Sequence, residues 1–196
     1  MHRLTAIAAV CVFIGFAAGC GSTPPSHFYT LSAASRPAAT SSNLSVVVGP
    51  VSVPAVVDRP EIVVDMGPNQ VRLDEFNRWA APLQNSIARV VAENLVSMLG
   101  TPRVTLFAQT LSSDADYRAA IDVQSFQSAP GEAAVLDAVW TVRRTKDGKA
   151  ETGRTTVRET VQATGYEALA AGHSRALARL SDDIANAVRL LDRSAQ

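Results

Sequence analysis

Two cysteines, Cys11 and Cys20, and three histidines, His2, His27 and His173, make up the thiol and imidazole inventory of this 196-residue chain. One of them sits in a context that specifies a reaction. Cys20 closes the run Ala17-Ala18-Gly19-Cys20, small residues before a cysteine, which is the pattern of a bacterial lipobox. In that chemistry the thiolate is the nucleophile and takes a diacylglyceryl group on sulfur. The peptide bond between Gly19 and Cys20 is then cut by a peptidase whose narrow site favours small side chains. Ala17 stands where leucine is usual in such a box.

The residues upstream fit this reading. Arg3 supplies a positive charge, and Leu4 to Ala18 form an uncharged run of 15 residues. That length suits the apolar core of a signal peptide and falls short of the roughly 18 residues a spanning helix needs. Residues 1–19 are thus expected to be a lipoprotein signal peptide; an uncleaved anchor or a plain secretory signal is the alternative. Cys11 leaves with the signal, so the mature chain keeps one thiol, consumed by lipid, with no intramolecular disulfide to form. Diacylglyceryl and N-acyl chains on Cys20 together make a stable anchor where a single chain does not. Gly21 is not the aspartate that marks inner-membrane retention in enteric-type sorting, which points to the outer membrane.

The rest of the chain offers little catalytic chemistry. Gly172-His173-Ser174-Arg175-Ala176 half resembles a G-x-S-x-G nucleophile elbow but lacks its last glycine and the strand-turn context. On a helix, adjacent residues point about 100° apart, so His173 and Ser174 are poorly placed for one hydrolase site. There is no H-E-x-x-H, no cysteine-histidine ligand set and no phosphate-binding P-loop. Any link to ATP hydrolysis therefore runs through another subunit. Asp182-Asp183 reads as a solvated helix face, and Glu61 and Asp65 as hairpin residues. No cofactor and no metal are expected, only the covalent lipid, and no enzyme emerges.

Removing residues 1–19 leaves 177 residues with 17 basic against 18 acidic side chains. That length suits one domain. The near-neutral balance gives no footprint for nucleic acid or for broad adhesion to anionic lipid. Residues 20–43 read as the lipidated cysteine and a tether, with FYTL (28–31) as a possible short strand. If FYTL joins the sheet, about seven residues separate lipid from fold, roughly 25 Å at full extension; if it is loose, the tether is about three times longer.

A single domain is expected over 44–196. LSVVVGPVSVP (44–54) is β-rich with a bulge or bend at Gly49-Pro50. EIVVD (61–65) and QVRL (70–73) flank the turn MGPN. From Pro82 to Leu99 the apolar residues Leu83, Ile87, Val90, Val91, Leu95, Met98 and Leu99 share a helical face, with Gly100 as the stop. Strands follow at 104–107, 117–126, 134–144 and 152–163, the last two joined by a turn at 146–149. A long helix closes the chain, its stripe formed by Leu169, His173, Ala176, Leu177, Leu180, Ile184, Val188 and Leu191. This order predicts an α+β fold: a two-layer sandwich, mainly antiparallel, with two amphipathic helices packed on one face of the sheet.

Four pieces together resemble the PqiC-type auxiliary lipoproteins of ABC transport systems. They are Cys20 followed shortly by HFYTL; Asp58-Arg59-Pro60-Glu61-Ile62-Val63; Arg78-Trp79-Ala80-Ala81-Pro82-Leu83; and YEALAAGHSRALARLSDDIA at 166–185. The motif residues Tyr29, Asp58, Arg59, Pro60, Trp79, Pro82 and His173 are structural or interface positions by that resemblance. It implies a non-enzymatic outer-membrane lipoprotein facing the periplasm, homo-oligomeric, and partnered with an MCE-domain protein and its lipid transport complex. The competing expectation is a free-standing lipoprotein that binds a lipid or other hydrophobic ligand between its helices and sheet.

Overall fold

The computed structural model describes residues 24–37, 39–107 and 114–194. Its strands are His27–Tyr29 (β1), Val46–Ser52 (β2), Glu61–Gly67 (β3), Gln70–Trp79 (β4), Val104–Leu106 (β5), Tyr117–Ala129 (β6), Ala133–Arg144 (β7) and Ala150–Thr160 (β8). The helices are Leu83–Leu99 (α1) and Tyr166–Arg193 (α2). The α+β class is as the sequence implied. The strands, however, fall into two sheets, a small one ordered β1-β4-β3 and a large one ordered β5-β2-β6-β7-β8.

The large sheet combines both pairing modes. β6, β7 and β8 form an antiparallel meander, whereas β2 runs parallel to both β5 and β6. A parallel neighbour requires a long crossover, and the chain from β2 to β5 supplies one through the small sheet and α1. Val46, Val47 and Val48 are wholly buried, the continuous apolar signature of a strand covered on both faces. The interruption expected at Gly49-Pro50 is real: that peptide bond is cis, and the β2–β6 register shifts between Val48 and Val51.

Both helices bury the faces their spacing marked out. Ile87, Val90, Val91 and Leu95 of α1 meet a layer that includes Leu177, Leu180, Ile184 and Val188 of α2, and each of these eight side chains has no exposed surface. Two polar contacts cross the helix pair: Arg189 Nη2 donates to Met98 O at 2.5 Å near its end, and Asn94 Nδ2 donates to Ser181 Oγ at 3.1 Å in a buried position. Its Oδ1 accepts the Ala34 N–H at 2.9 Å, so both ends of the buried amide are satisfied.

The Ala34 bond marks a correction to the tether. Residues 31–37 and 39–43 are mostly small or polar, yet they strap the two helices rather than hang free. Leu31 is buried, Ser32 N–H donates to Ser174 Oγ (3.1 Å), Ala39 N–H to Ser97 O (2.8 Å) and Ser42 N–H to Gly100 O (2.9 Å). Arg36 adds a bidentate pair with Asp182. Small residues lie close over a helix surface while their backbone groups find partners there, and that property looks the same in a sequence as a flexible linker.

Gly100 is where strap and helix meet most closely. It ends α1 at φ +63°, the left-handed cap that favours glycine. A Cβ there would lie 2.2 Å from Thr40 O and 2.8 Å from Ala39 O. Gly100→Ala is therefore expected to cost about 1 kcal/mol for the backbone and at least as much again for displacing the strap. Gly148, at φ +74° with nothing closer than Arg143 Nη1 at 4.0 Å, is the control: its alanine variant carries the left-handed backbone strain alone. Urea midpoints of the two variants measure the difference, and equal midpoints would mean the strap does not press on Gly100.

Candidate functional site

The N-terminal end of the described chain is locked into the fold. β1 pairs in parallel with the last residues of β4, His27 opposite Asn77 and Tyr29 opposite Trp79. Ala80 N–H donates to Tyr29 O at 2.9 Å, and Arg89 Nη2 reaches Leu31 O at 2.6 Å. The Tyr29 hydroxyl donates to Asn77 Oδ1 at 2.8 Å, and its ring lies 5.8 Å from that of Tyr166. FYTL thus docks, though as a strand over 27–29. Gly19 and Cys20 lie outside the described residues; Cys20 is seven positions before His27 in sequence, a length of chain that spans at most about 25 Å.

The docking is held by a polar cluster built on a bulge. In the β3–β4 pairing Glu61 faces Arg78 but Ile62 faces Asp74, so residues 75–77 are looped out of β4. Asp74 Oδ1 holds that loop by accepting Phe76 N–H (3.1 Å), Asn77 N–H (3.0 Å) and Asn77 Nδ2 (2.9 Å). Its other oxygen accepts the Tyr166 hydroxyl from the start of α2. Burial, with the Asp74 hydrogen bond and charge, pushes the Tyr166 phenol up to about 12. Nothing in the spacing of Asp74, Asn77 and Tyr166 announces this cluster, because a bulge rather than a regular period brings them together.

Beneath it, three rings join the small sheet to the large sheet and α2. His173 stacks on Phe126 of β6, centroids 3.8 Å apart at 9°, and Trp79 meets both rings edge-on at 6.3 Å and 6.1 Å. Trp79 is buried, and its N–H donates to Pro60 O at 2.7 Å. The His173 Nε2 lies 2.8 Å from Ser128 Oγ, while Nδ1 has no partner among the described residues. Burial pulls this imidazole down to about 3, so it is neutral at any physiological pH. Phe126 is the member the sequence reading missed; its place at the end of the strand expected over 117–126 gave no more than a strand assignment.

The motif residues thus divide. Tyr29, Pro60, Trp79 and His173 converge on the join between the sheets, and Pro82 opens α1 nearby in sequence. Asp58 is exposed on the turn after β2, and Arg59 beside it is half-buried, its Nε without a partner among the described residues. On the far side of β3 an open cleft of about 940 Å³ runs between the hairpin and β6, lined by Val57, Val63, Asp65, Phe126, Val135 and Arg158 among others. Burial raises the Asp65 carboxyl above its usual range, although it accepts the Ser128 backbone N–H. Among the described residues no group of three or more His, Cys, Asp or Glu side chains could hold a metal ion, and no helix is long and apolar enough to cross a membrane.

A family model, the ABC-type transport auxiliary lipoprotein component, matches residues 29–185. The chain belongs to that family. This auxiliary lipoprotein is accordingly a membrane-anchored component of an ABC-type transport system, of a family that is generally non-catalytic. Its fold is similar to that of an uncharacterized protein of known crystal structure, with 22% identity over 84% of this chain and 99% of the other and a TM-score of 0.70. Protein XCC0632 from Xanthomonas campestris is similar as well, at 19% identity, 87% and 100% coverage and a TM-score of 0.71. A PelC dodecamer from Paraburkholderia phytofirmans is more distant, with 14% identity, 78% and 93% coverage and a TM-score of 0.44. No curated protein matches the sequence.

The auxiliary lipoprotein does not assemble the hydrolase pair weighed from its sequence. Ser174 Oγ donates back to Ala170 O at 2.8 Å and accepts the strap's Ser32 N–H, whereas His173 faces the aromatic join. The two side chains serve different packing surfaces.

Proposed function

We propose that this auxiliary lipoprotein is cut before Cys20, lipidated there, and held at the periplasmic face of the outer membrane. In this reading it docks the MCE-domain conduit of a lipid transport system, assembles with further copies of itself, and makes or breaks no bond in the cargo. The observation that supports it most is the docking of β1, which leaves only about seven residues between Cys20 and the sheet. A tether that short keeps the domain against the bilayer, where the end of a conduit must be received, rather than roaming the periplasm. The layer between helices and sheet is filled by fully buried side chains, which leaves the alternative of a lipid ligand bound there without support.

Asp58 is the charged motif residue whose side chain is exposed, so in this reading it belongs to the docking surface while Trp79 and His173, both buried, belong to the core. The test is affinity purification of the full-length lipoprotein from mildly solubilised membranes, with mass spectrometry of what comes with it. An MCE-domain protein together with ABC permease and ATPase subunits is the expected result. Recovery of the lipoprotein alone, under conditions that preserve other envelope complexes, would refute the docking role.

A further inference from the structure

The β3–β4 hairpin ends in an uncharged tip. Residues 66–71 read Met-Gly-Pro-Asn-Gln-Val, with the nearest charges at Asp65 and Arg72 on either flank. Met66 is 53% exposed, Val71 45% and, two residues along, Leu73 43%. The register pairs Asp65 with Val71 and Val63 with Leu73, so Val71 and Leu73 share one face of the ribbon, and Met66 sits at the register shift between Asp65 and Gly67. Each is a large apolar side chain left in water, Met66 and Val71 at the rim of the cleft between the hairpin and β6, an arrangement that marks a contact surface.

The direction of the chain identifies what covers it. β1 is parallel to β4, with His27 beside Asn77, so the backbone reaches His27 from the side on which β4 begins. Seven residues back along β4 from Asn77 is Gln70, at the tip. Seven residues back along the chain from His27 is Cys20. The bulge at 75–77 shortens the hairpin arm over that span, so a tether extended in the same direction, roughly 25 Å long, is long enough to reach the tip. A tether extended in that direction would bring lipid on Cys20 to the level of the apolar tip.

We propose that the hairpin tip, residues 66–71 with Leu73, is a second membrane contact that rests in the bilayer surface beside the lipid anchor. The proposal rests on the reading of Cys20 as the lipidated residue. Met66, Val71 and Leu73 enter the boundary between headgroups and acyl chains, the depth to which interfacial apolar side chains bury. Asn69 and Gln70 remain among the headgroups, while Arg72 stays with the body of the domain, its Nη2 3.4 Å from the Tyr166 hydroxyl. Two contacts fix orientation where one lipid anchor alone would let the domain swivel, and they aim the Asp58 loop and α1 consistently.

The experiment uses the full chain, produced with its signal in a bacterial host and reconstituted from detergent into phosphatidylethanolamine–phosphatidylglycerol vesicles. Met66→Cys and, separately, Leu73→Cys carry an environment-sensitive fluorophore, with Asn85→Cys on the exposed side of α1 as reference. All three positions are solvent-facing or partly so, and an intact mass reports whether Cys20 carries its lipid. The expected result is a blue shift of both tip labels on reconstitution, with quenching by headgroup-proximal spin-labelled lipid, and neither effect at Asn85. Tip labels that behave like the Asn85 label on a lipidated protein overturn the proposal alone. An unmodified Cys20 overturns the anchor reading and the proposal with it. A blue shift already present in detergent, with disulfides forming between unlabelled tip cysteines, assigns the tip to a second copy and overturns the bilayer contact.

Discussion

Trp79→Ala is expected to destabilise the domain by about 3–5 kcal/mol, the range for removing a buried aromatic side chain, and to lower its thermal midpoint by roughly 6–20 °C. Trp79 is 6% exposed and is the residue through which β4 reaches Phe126 on β6 and His173 on α2. Its backbone bond to Pro60 O survives the substitution, so the whole effect comes from the lost ring and the space it leaves. Neighbours collapse poorly into such a hole when they belong to two sheets and a helix, since each is held by its own hydrogen-bond ladder. Trp79→Phe keeps an edge contact and is expected to cost less than half as much. Calorimetry of both variants is the measurement. A Trp79→Ala protein with an unchanged midpoint and weakened partner binding would move this residue from the core to the interface.

The same residue shows how much could be read in advance. Both helical stripes were legible from a period near 3.6, and α1 was further bounded by Pro82 at one end and Gly100 at the other. The meander of β6, β7 and β8 was legible from alternation and a turn. What the sequence hid was every long-range polar decision. The bulge at 75–77 that lets Asp74 collect Tyr166 has no local signature. The strap over 31–37 and 39–43 looked like a linker because the residues that pack closest on a helix surface are also those that populate flexible chain. The parallel pairing of β2 was hidden because a buried valine run reads alike in either direction. Trp79 and His173 were visible as motif positions, but their stacking through Phe126 required knowing that the strands part into two sheets.

Acid should weaken this domain through His173. Unfolded, its imidazole titrates near the ordinary 6.5; folded, burial holds it near 3. Between those values the unfolded chain binds a proton that the folded protein refuses, so stability falls as pH drops. The loss begins below about pH 6.5, reaches about 2 kcal/mol at pH 5, and stops growing below about pH 3. Above pH 7 this residue contributes no slope. Carboxylates such as Asp137, held low chiefly by its hydrogen bond from Arg154, add an acid slope of their own. The diagnostic quantity is therefore the difference between the wild-type protein and a His173→Phe, Ser128→Ala double variant. That variant keeps a ring on Phe126 and removes the hydroxyl that loses its partner, which alone would cost about 1–3 kcal/mol at every pH. Urea midpoints at pH 7.5 and pH 5 should separate for the wild-type protein by about 2 kcal/mol more than for the double variant. Equal separations would show that the buried imidazole accepts a proton without unfolding, which requires the aromatic join to open to water. In that case Trp79→Ala would also cost far less than its burial implies, because the same opening would already have loosened the packing it fills.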